Sequence, residues 1–146
     1  MKFAKVKTVK SPARAHPTDA GIDFYVPSDF ENVLIWPGEH IAIESGIKVN
    51  VPAGYALVFF NKSGVAVKSN LAVGACVVDE TYQGEIHLHL YNFGNTATKI
   101  SPNQKIAQGV LLKMFYDTLE ETSEALLYEK KSERGEGRFG STNKKD

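Results

Sequence analysis

Apolar and polar positions alternate along this chain in short runs separated by turn-forming residues, the period-two pattern of strands with one buried face. Val33 to Ile35, His40 to Glu44, Ile47 to Val49, Tyr55 to Phe60, Glu85 to Asn92 and Lys105 to Met114 each read as a strand. Between them stand Pro27-Ser28-Asp29, Pro37-Gly38, Gly46, Pro52-Ala53-Gly54, Phe93-Gly94-Asn95 and Ser101-Pro102-Asn103, all of them turn signals. Phe3 to Val9 mixes apolar residues with lysines and reads as a first strand exposed on one face. Pro12 and Pro17 break regular structure after it, and another strand begins at Ile22. Ser63 to Ser69, small and apolar, is the one internal stretch before the tail suited to a helix, of one or two turns. Many short strands at this spacing predict an all-β fold, a jelly-roll-like β-barrel with one short helix.

The pattern is most specific from Gly74 to Ile86, GACVVDETYQGEI. Val77 and Val78 lead in as a short buried strand, Gly84 lets the backbone reverse, and the alternation from Ile86 leads out. This predicts a β-hairpin with Asp79 at its rim.

From Thr118 to Lys131 the Leu, Glu, Ala and Lys content suits a helix. Beyond Lys130 the chain turns charged and glycine-rich, with too few apolar groups to offset the entropy of ordering. The expected organisation is one barrel domain over residues 1–130 and a mobile C-terminal arm over residues 131–146.

Lysine plus arginine and aspartate plus glutamate both number 17. A balanced charge gives no general pull toward nucleic acid or an anionic membrane, so any polyanion site must be local. The lone Cys76 cannot form an intrachain disulfide and reads as small buried filler. Without a basic leader or an apolar run of bilayer length, the expectation is a soluble, cytoplasmic protein, in host-cell cytoplasm if it is viral.

Taken singly, the candidate chemical residues have ordinary readings. Asp19 and Asp23, around a glycine at a strand entry, are turn or solvated aspartates, and Ser63 is a helix N-cap. Asp79 is a turn residue, Tyr82 a packed aromatic, and Gln108 a buried strand glutamine bonded to backbone. His87 and His89 share one strand face, which suggests zinc, but no third ligand stands at a usual spacing, and they read as an outward face. Arg134 to Thr142 on its own reads as an arginine/glycine tail able to bind RNA.

Together these segments resemble the trimeric dUTP pyrophosphatase (dUTPase) family. Val-Val-Asp-Glu-Thr-Tyr-Gln-Gly at the central hairpin, Asp19-Ala20-Gly21-Ile22-Asp23, Asn61-Lys62-Ser63-Gly64, Lys105-Ile106-Ala107-Gln108-Gly109 and Arg134-Gly135-Glu136-Gly137-Arg138-Phe139-Gly140-Ser141-Thr142 follow the family's five motifs in order. The resemblance implies Mg2+-dependent hydrolysis of dUTP to dUMP and pyrophosphate, which limits uracil in DNA and supplies dUMP for dTTP synthesis. It implies Asp79 as general base for a water attacking the α-phosphorus. Asp23 would hold the magnesium through water, with Asp19 supporting the loop. Lys62, Ser63, Gly64 and Gln108 would contact phosphates. Gly74, Val77, Val78 and His87 would surround the uracil, read mainly by main-chain groups of Ala75 to Val78, and Tyr82 would lie under the deoxyribose. Arg134 would reach the γ-phosphate, Phe139 would stack on the base, and Gly140, Ser141 and Thr142 would donate to the terminal phosphates.

The same resemblance implies a homotrimer with sites at subunit boundaries, an extended Thr118 to Lys131 crossing to a neighbour, and no direct nucleic-acid binding. For that stretch the extended form is the one expected. Lys62 replaces an arginine and supplies a point charge without the bidentate fork. Cys76, Thr81 and Arg138 also depart from the motifs, and Asn103-Gln104 and Asn143 stand where the family has other residues. Two rival functions fit parts of the pattern: a dCTP deaminase of the related fold, and a dUTP-gated regulatory binding protein with a protein partner.

Overall fold

The computed structural model describes residues 1–137. It divides into two compact units, Met1–Phe115 and the segment from Tyr116 onward. The first unit holds β1 (Lys2–Lys5), β2 (Ile22–Tyr25), β3 (Val33–Ile35), β4 (His40–Glu44), β5 (Ile47–Asn50) and β6 (Tyr55–Asn61). After the helix α1 (Ser63–Ser69) come β7 (Leu71–Val73), β8 (Val77–Val78), β9 (His87–Asn92), β10 (Thr98–Ile100) and β11 (Lys105–Lys113). Every strand pairing is antiparallel. One sheet has the order β2-β11-β6-β8, a second β4-β9-β7, and two ribbons pair β1 with β5 and β3 with β10.

Alternation explains the layering. In β9, Leu88, Leu90 and Asn92 turn inward while His87 and Tyr91 turn out. Phe24, Ile35, Ile43, Leu57, Leu71, Ile86, Ile100 and Ile106 join Leu90 in one core drawn from both sheets and the β3–β10 ribbon. Phe24 and Phe59 meet edge to face, 4.8 Å between centroids. Each such side chain contributes about 1.5–3 kcal/mol by leaving water. The buried Asn92 amide donates to the carbonyls of Ile35 at 2.8 Å and Thr96 at 2.9 Å, and its oxygen accepts from the Gly94 amide. A polar group fully bonded in this way adds specificity without the cost of an orphaned donor.

The all-β class and the helix at Ser63–Ser69 agree with the sequence expectation. The central hairpin does not. β8 pairs with β6, and β9 pairs with β4 and β7, so the two arms lie in different sheets. Gly84 does not take a left-handed conformation. Its missing side chain makes room for Tyr82, whose ring a methyl there would overlap. The first strand stops at Lys5, not Val9: the Val6 amide makes one more bond in register, to the Gly46 carbonyl at 2.8 Å, and Lys7 then reaches Glu44. Ser63 is the first helical residue, and the cap position is Lys62, without a side-chain cap bond.

In the second unit, described by itself, the stretch after β11 forms no α-helix among the described residues. A single 3-10 turn at Glu124–Leu126 interrupts otherwise irregular chain. Arg134 lies in a turn that Gly135 allows with φ +49, closed by the Gly137 amide on the Arg134 carbonyl at 3.0 Å. Among the described residues no helix is long and apolar enough to cross a membrane.

Candidate functional site

Two groups of the expected residues come together on the first unit. The first surrounds Asp23, on β2 and only 4% exposed. Lys62 places its ammonium on Oδ1, and Lys105 places its own 2.7 Å from Oδ2. Burial pushes the Asp23 carboxyl up, but the hydrogen bonds and charges of Lys105 and Lys62 outweigh it and hold the group below its ordinary value. Its hydrogen bond to Asp23 raises the Lys105 ammonium in turn. Two cations against one anion leave this cluster of three side chains one positive charge in excess. The point charge that Lys62 was expected to bring to phosphate is here shared with a carboxylate 39 positions away.

Gln108 sits opposite Asp23 in the β11–β2 register and donates from Nε2 to the Asn61 carbonyl at 2.8 Å. Gly21 lies so close to the Gln108 amide that any side chain there would displace it. Ala20, Gly21, Phe60, Asn61 and Gln108 line an open groove of about 510 Å³ with Val110 and Leu112. Ser63 and Gly64 are exposed in the first turn of α1, directly after Lys62.

The second group surrounds Asp79. Ala75, Cys76, Val77, Val78, Asp79, Tyr82 and His87 line a cavity of about 160 Å³ with Phe59 and Ile86. β8 forms one wall. It is the edge strand of its sheet, paired on one side to β6, so its outward main-chain groups have no strand partner. Val78 faces the core and Val77 is 59% exposed. Tyr82, 42% exposed, is fixed by a hydrogen bond from its hydroxyl to the Glu85 carbonyl at 2.8 Å and by the turn from its amide to the Asp79 carbonyl. The Asp79 carboxylate is exposed, and among the described residues nothing in the chain donates to it. A carboxylate presented in this way can hold and deprotonate a water.

His87 contacts the Glu85 carbonyl through Nδ1 at 3.1 Å. His89 keeps to the outward strand face with His87, as expected, but it is half-buried there: its ring lies against Gly74, accepts from the Ala75 amide and meets His40. Among the described residues no three His, Cys, Asp or Glu side chains are grouped to hold a metal ion. The groove and the cavity share no lining residue. Arg134 belongs to the second unit. Phe139, Gly140, Ser141 and Thr142 lie outside the described residues, as do the Arg138 and Asn143 departures.

Sequence reasoning missed Lys105 as a site residue. Its signal was its place three residues before Gln108 in the same motif; on β11 it pairs with Tyr25, and its side chain reaches Asp23, two residues along β2.

A family model described as dUTPase matches residues 7–143. The mitochondrial deoxyuridine 5'-triphosphate nucleotidohydrolase of Homo sapiens is 34% identical over 145 residues, covering 99% of this chain. The chain spans 55% of that protein's length. A Staphylococcus bacteriophage 80alpha dUTPase solved with dUpNHpp superposes with a TM-score of 0.83 at 26% identity, over 96% of each chain. Its description assigns phage dUTPases a part in controlling virulence-gene transfer by a G protein-like mechanism. A mutant dUTPase from phage phi11 of S. aureus, described with a coordinated structural Mg(II) ion, shares the fold at a TM-score of 0.75 and 22% identity, over 84% of this chain and 96% of its own. With the family model running from one end of the barrel into the tail, and a third of positions identical to a curated member, this chain belongs to the dUTPase family.

Proposed function

We propose that this chain hydrolyses dUTP to dUMP and pyrophosphate, with Asp79 as general base. The observation that carries the reading is the Asp79 carboxylate, without a partner among the described residues, at a cavity walled by the open edge of β8 and the Tyr82 ring. Uracil offers an alternating row of acceptor and donor atoms, the complement of a strand's free edge. Cytosine reverses part of that row and would leave buried groups unpaired, which rejects it strongly. Tyr82, held at the cavity by its bond to Glu85, would lie under the sugar and leave no space for a ribose 2′-hydroxyl.

Asp79 takes a proton from a water, and the water oxygen bonds to the α-phosphorus as the bond to the bridging oxygen breaks. Pyrophosphate carries away that electron pair, and the proton on Asp79 returns to solvent. Lys62, Lys105 and the groove at Gln108 lower the cost of gathering the triphosphate's charge. Magnesium would be held mainly by the substrate: Asp23 offers hard oxygens but is enclosed and has a lysine on each of them, so it would serve the ion only through water and in competition with Lys62 and Lys105. Magnesium, when bound, would offset the charge that builds on the leaving pyrophosphate.

The Gln108 groove and the Asp79 cavity share no lining residue within one copy, which fits a homotrimer in which neighbouring copies complete each site. The arm from Arg134 to Thr142 would close over the bound phosphates. Pyrophosphate release measured with dUTP, dCTP, dTTP and UTP, with magnesium and with a chelator, tests the reading. Release from dUTP alone, dependent on magnesium, is expected; equal release from all four would overturn it. A second reading, a dUTP-gated regulator, draws on the 80alpha relative's description. Binding of dUTP without pyrophosphate release would favour it.

A further inference from the structure

Between Val73 and Val77 the chain leaves the sheet β4-β9-β7 and joins the sheet β2-β11-β6-β8. At such a crossing the backbone groups lose their strand partners, yet this segment leads directly into the base-reading edge. A side chain supplies the missing acceptor. The Ala75 amide donates to Nδ1 of His89 at 2.9 Å, and the Gly74 amide donates to the His89 carbonyl at 3.0 Å. The ring lies against Gly74 so closely that a side chain there would overlap it. On the other side, the Cys76 carbonyl accepts from the Phe59 amide at 2.7 Å.

The hydrogen bonds set the tautomers. A backbone amide can only donate, so Nδ1 of His89 carries no proton and the neutral ring carries it on Nε2. Nε2 lies 3.2 Å from Nδ1 of His40, and the rings are perpendicular with centroids 5.1 Å apart. His89 therefore donates to His40, whose own proton is on its Nε2.

We propose that His89, oriented by His40, is a positioning residue for dUTP binding: it holds Gly74 and Ala75 so that the edge of β8 meets the base in register. This rests on the dUTP reading of the Asp79 cavity, which Ala75 helps to line. An amide left without its acceptor lets the segment shift, and a shift weakens recognition of the base more than it slows the chemical step at Asp79. His89 touches neither substrate nor reacting atoms.

The test compares wild type with His89→Phe, which keeps a ring but removes the acceptor, and His89→Asn, which restores an acceptor near the Nδ1 position. Steady-state kinetics with dUTP should show His89→Phe raising KM about tenfold with a much smaller change in kcat, and His89→Asn returning KM toward wild type. Hydrogen exchange at the Ala75 amide, measured without nucleotide, should quicken in His89→Phe and slow again in His89→Asn. An unchanged KM in His89→Phe, or His89→Asn behaving as badly, overturns the proposal. Imidazole nitrogen spectra of the wild-type protein read the tautomer even if a variant does not fold, and a proton on Nδ1 of His89 overturns it. Absence of dUTP cleavage by wild type would defeat the functional reading alone, leaving exchange and spectra to judge the His89 contact.

Discussion

Lys105 holds Asp23 from the neighbouring strand, its ammonium 2.7 Å from Oδ2, while Lys62 occupies the other oxygen. The pairing lowers the folded-state pKa of Asp23, so the stability it contributes is present above the ordinary carboxylate pKa of about 4 and is lost as pH falls through the lowered value. Asp23→Asn should cost roughly 1–3 kcal/mol near pH 7, the lower part of the range reflecting the lysines' exposure to solvent. Urea unfolding at pH 7 and in acid measures it. The gap between variant and wild type should close in acid, and a constant gap would show that packing, not charge, sets the cost.

Asp79 has no side-chain partner among the described residues, so Asp79→Asn should leave the fold and nucleotide affinity near wild type. Turnover should fall by about 10²–10⁴. Calorimetric titration with dUpNHpp and pyrophosphate release measure the two separately. Retained turnover would remove Asp79 from the role of base.

Tyr82 owes its position to the space above Gly84. Gly84→Ala should drive the ring off its hydrogen bond to Glu85 and cost about 1 kcal/mol of stability. It should also reduce the preference for dUTP over UTP by about tenfold, as the loss of a shape-based barrier does. The ratio of kcat/KM for the two nucleotides is the measurement, and an unchanged ratio would free Tyr82 of any part in sugar selection.

The buried core is drawn entirely from residues between Val9 and Ala107. A chain ending at Ser132 should therefore keep the thermal midpoint of the full chain and its oligomeric state by light scattering. If the tail closes over bound phosphates, turnover should drop roughly a hundredfold through lost positioning. Full activity would reject the closing arm.

Local composition made much of this fold legible. Small and apolar residues after Lys62 gave α1 its bounds, and alternation gave β3 and β4 theirs. β7 and β10, no shorter than β3, were missed because β7 follows α1 after one residue and β10 holds a single apolar position, Ile100. The hairpin expectation failed because closeness in sequence favours pairing Val77 and Val78 with the strand after Gly84, whereas the register that buries Val78 opposite Leu57 lies with β6. The motifs located Asp23, Lys62, Asp79 and Gln108. They did not disclose that Lys62 spends its charge on Asp23, because that contact is made by folding. For His89, alternation gave the strand face but could not show which backbone would lie over it.

The brevity of β8 carries a last consequence. A long unclaimed rim invites a second polypeptide to zip onto it, but two residues offer a single rung, too little to recruit another chain. If β8 reads the base as proposed, the same rung would suit one flat heterocycle and offer nothing to the next along a polymer, so the protein would sort monomers rather than the DNA into which they are built.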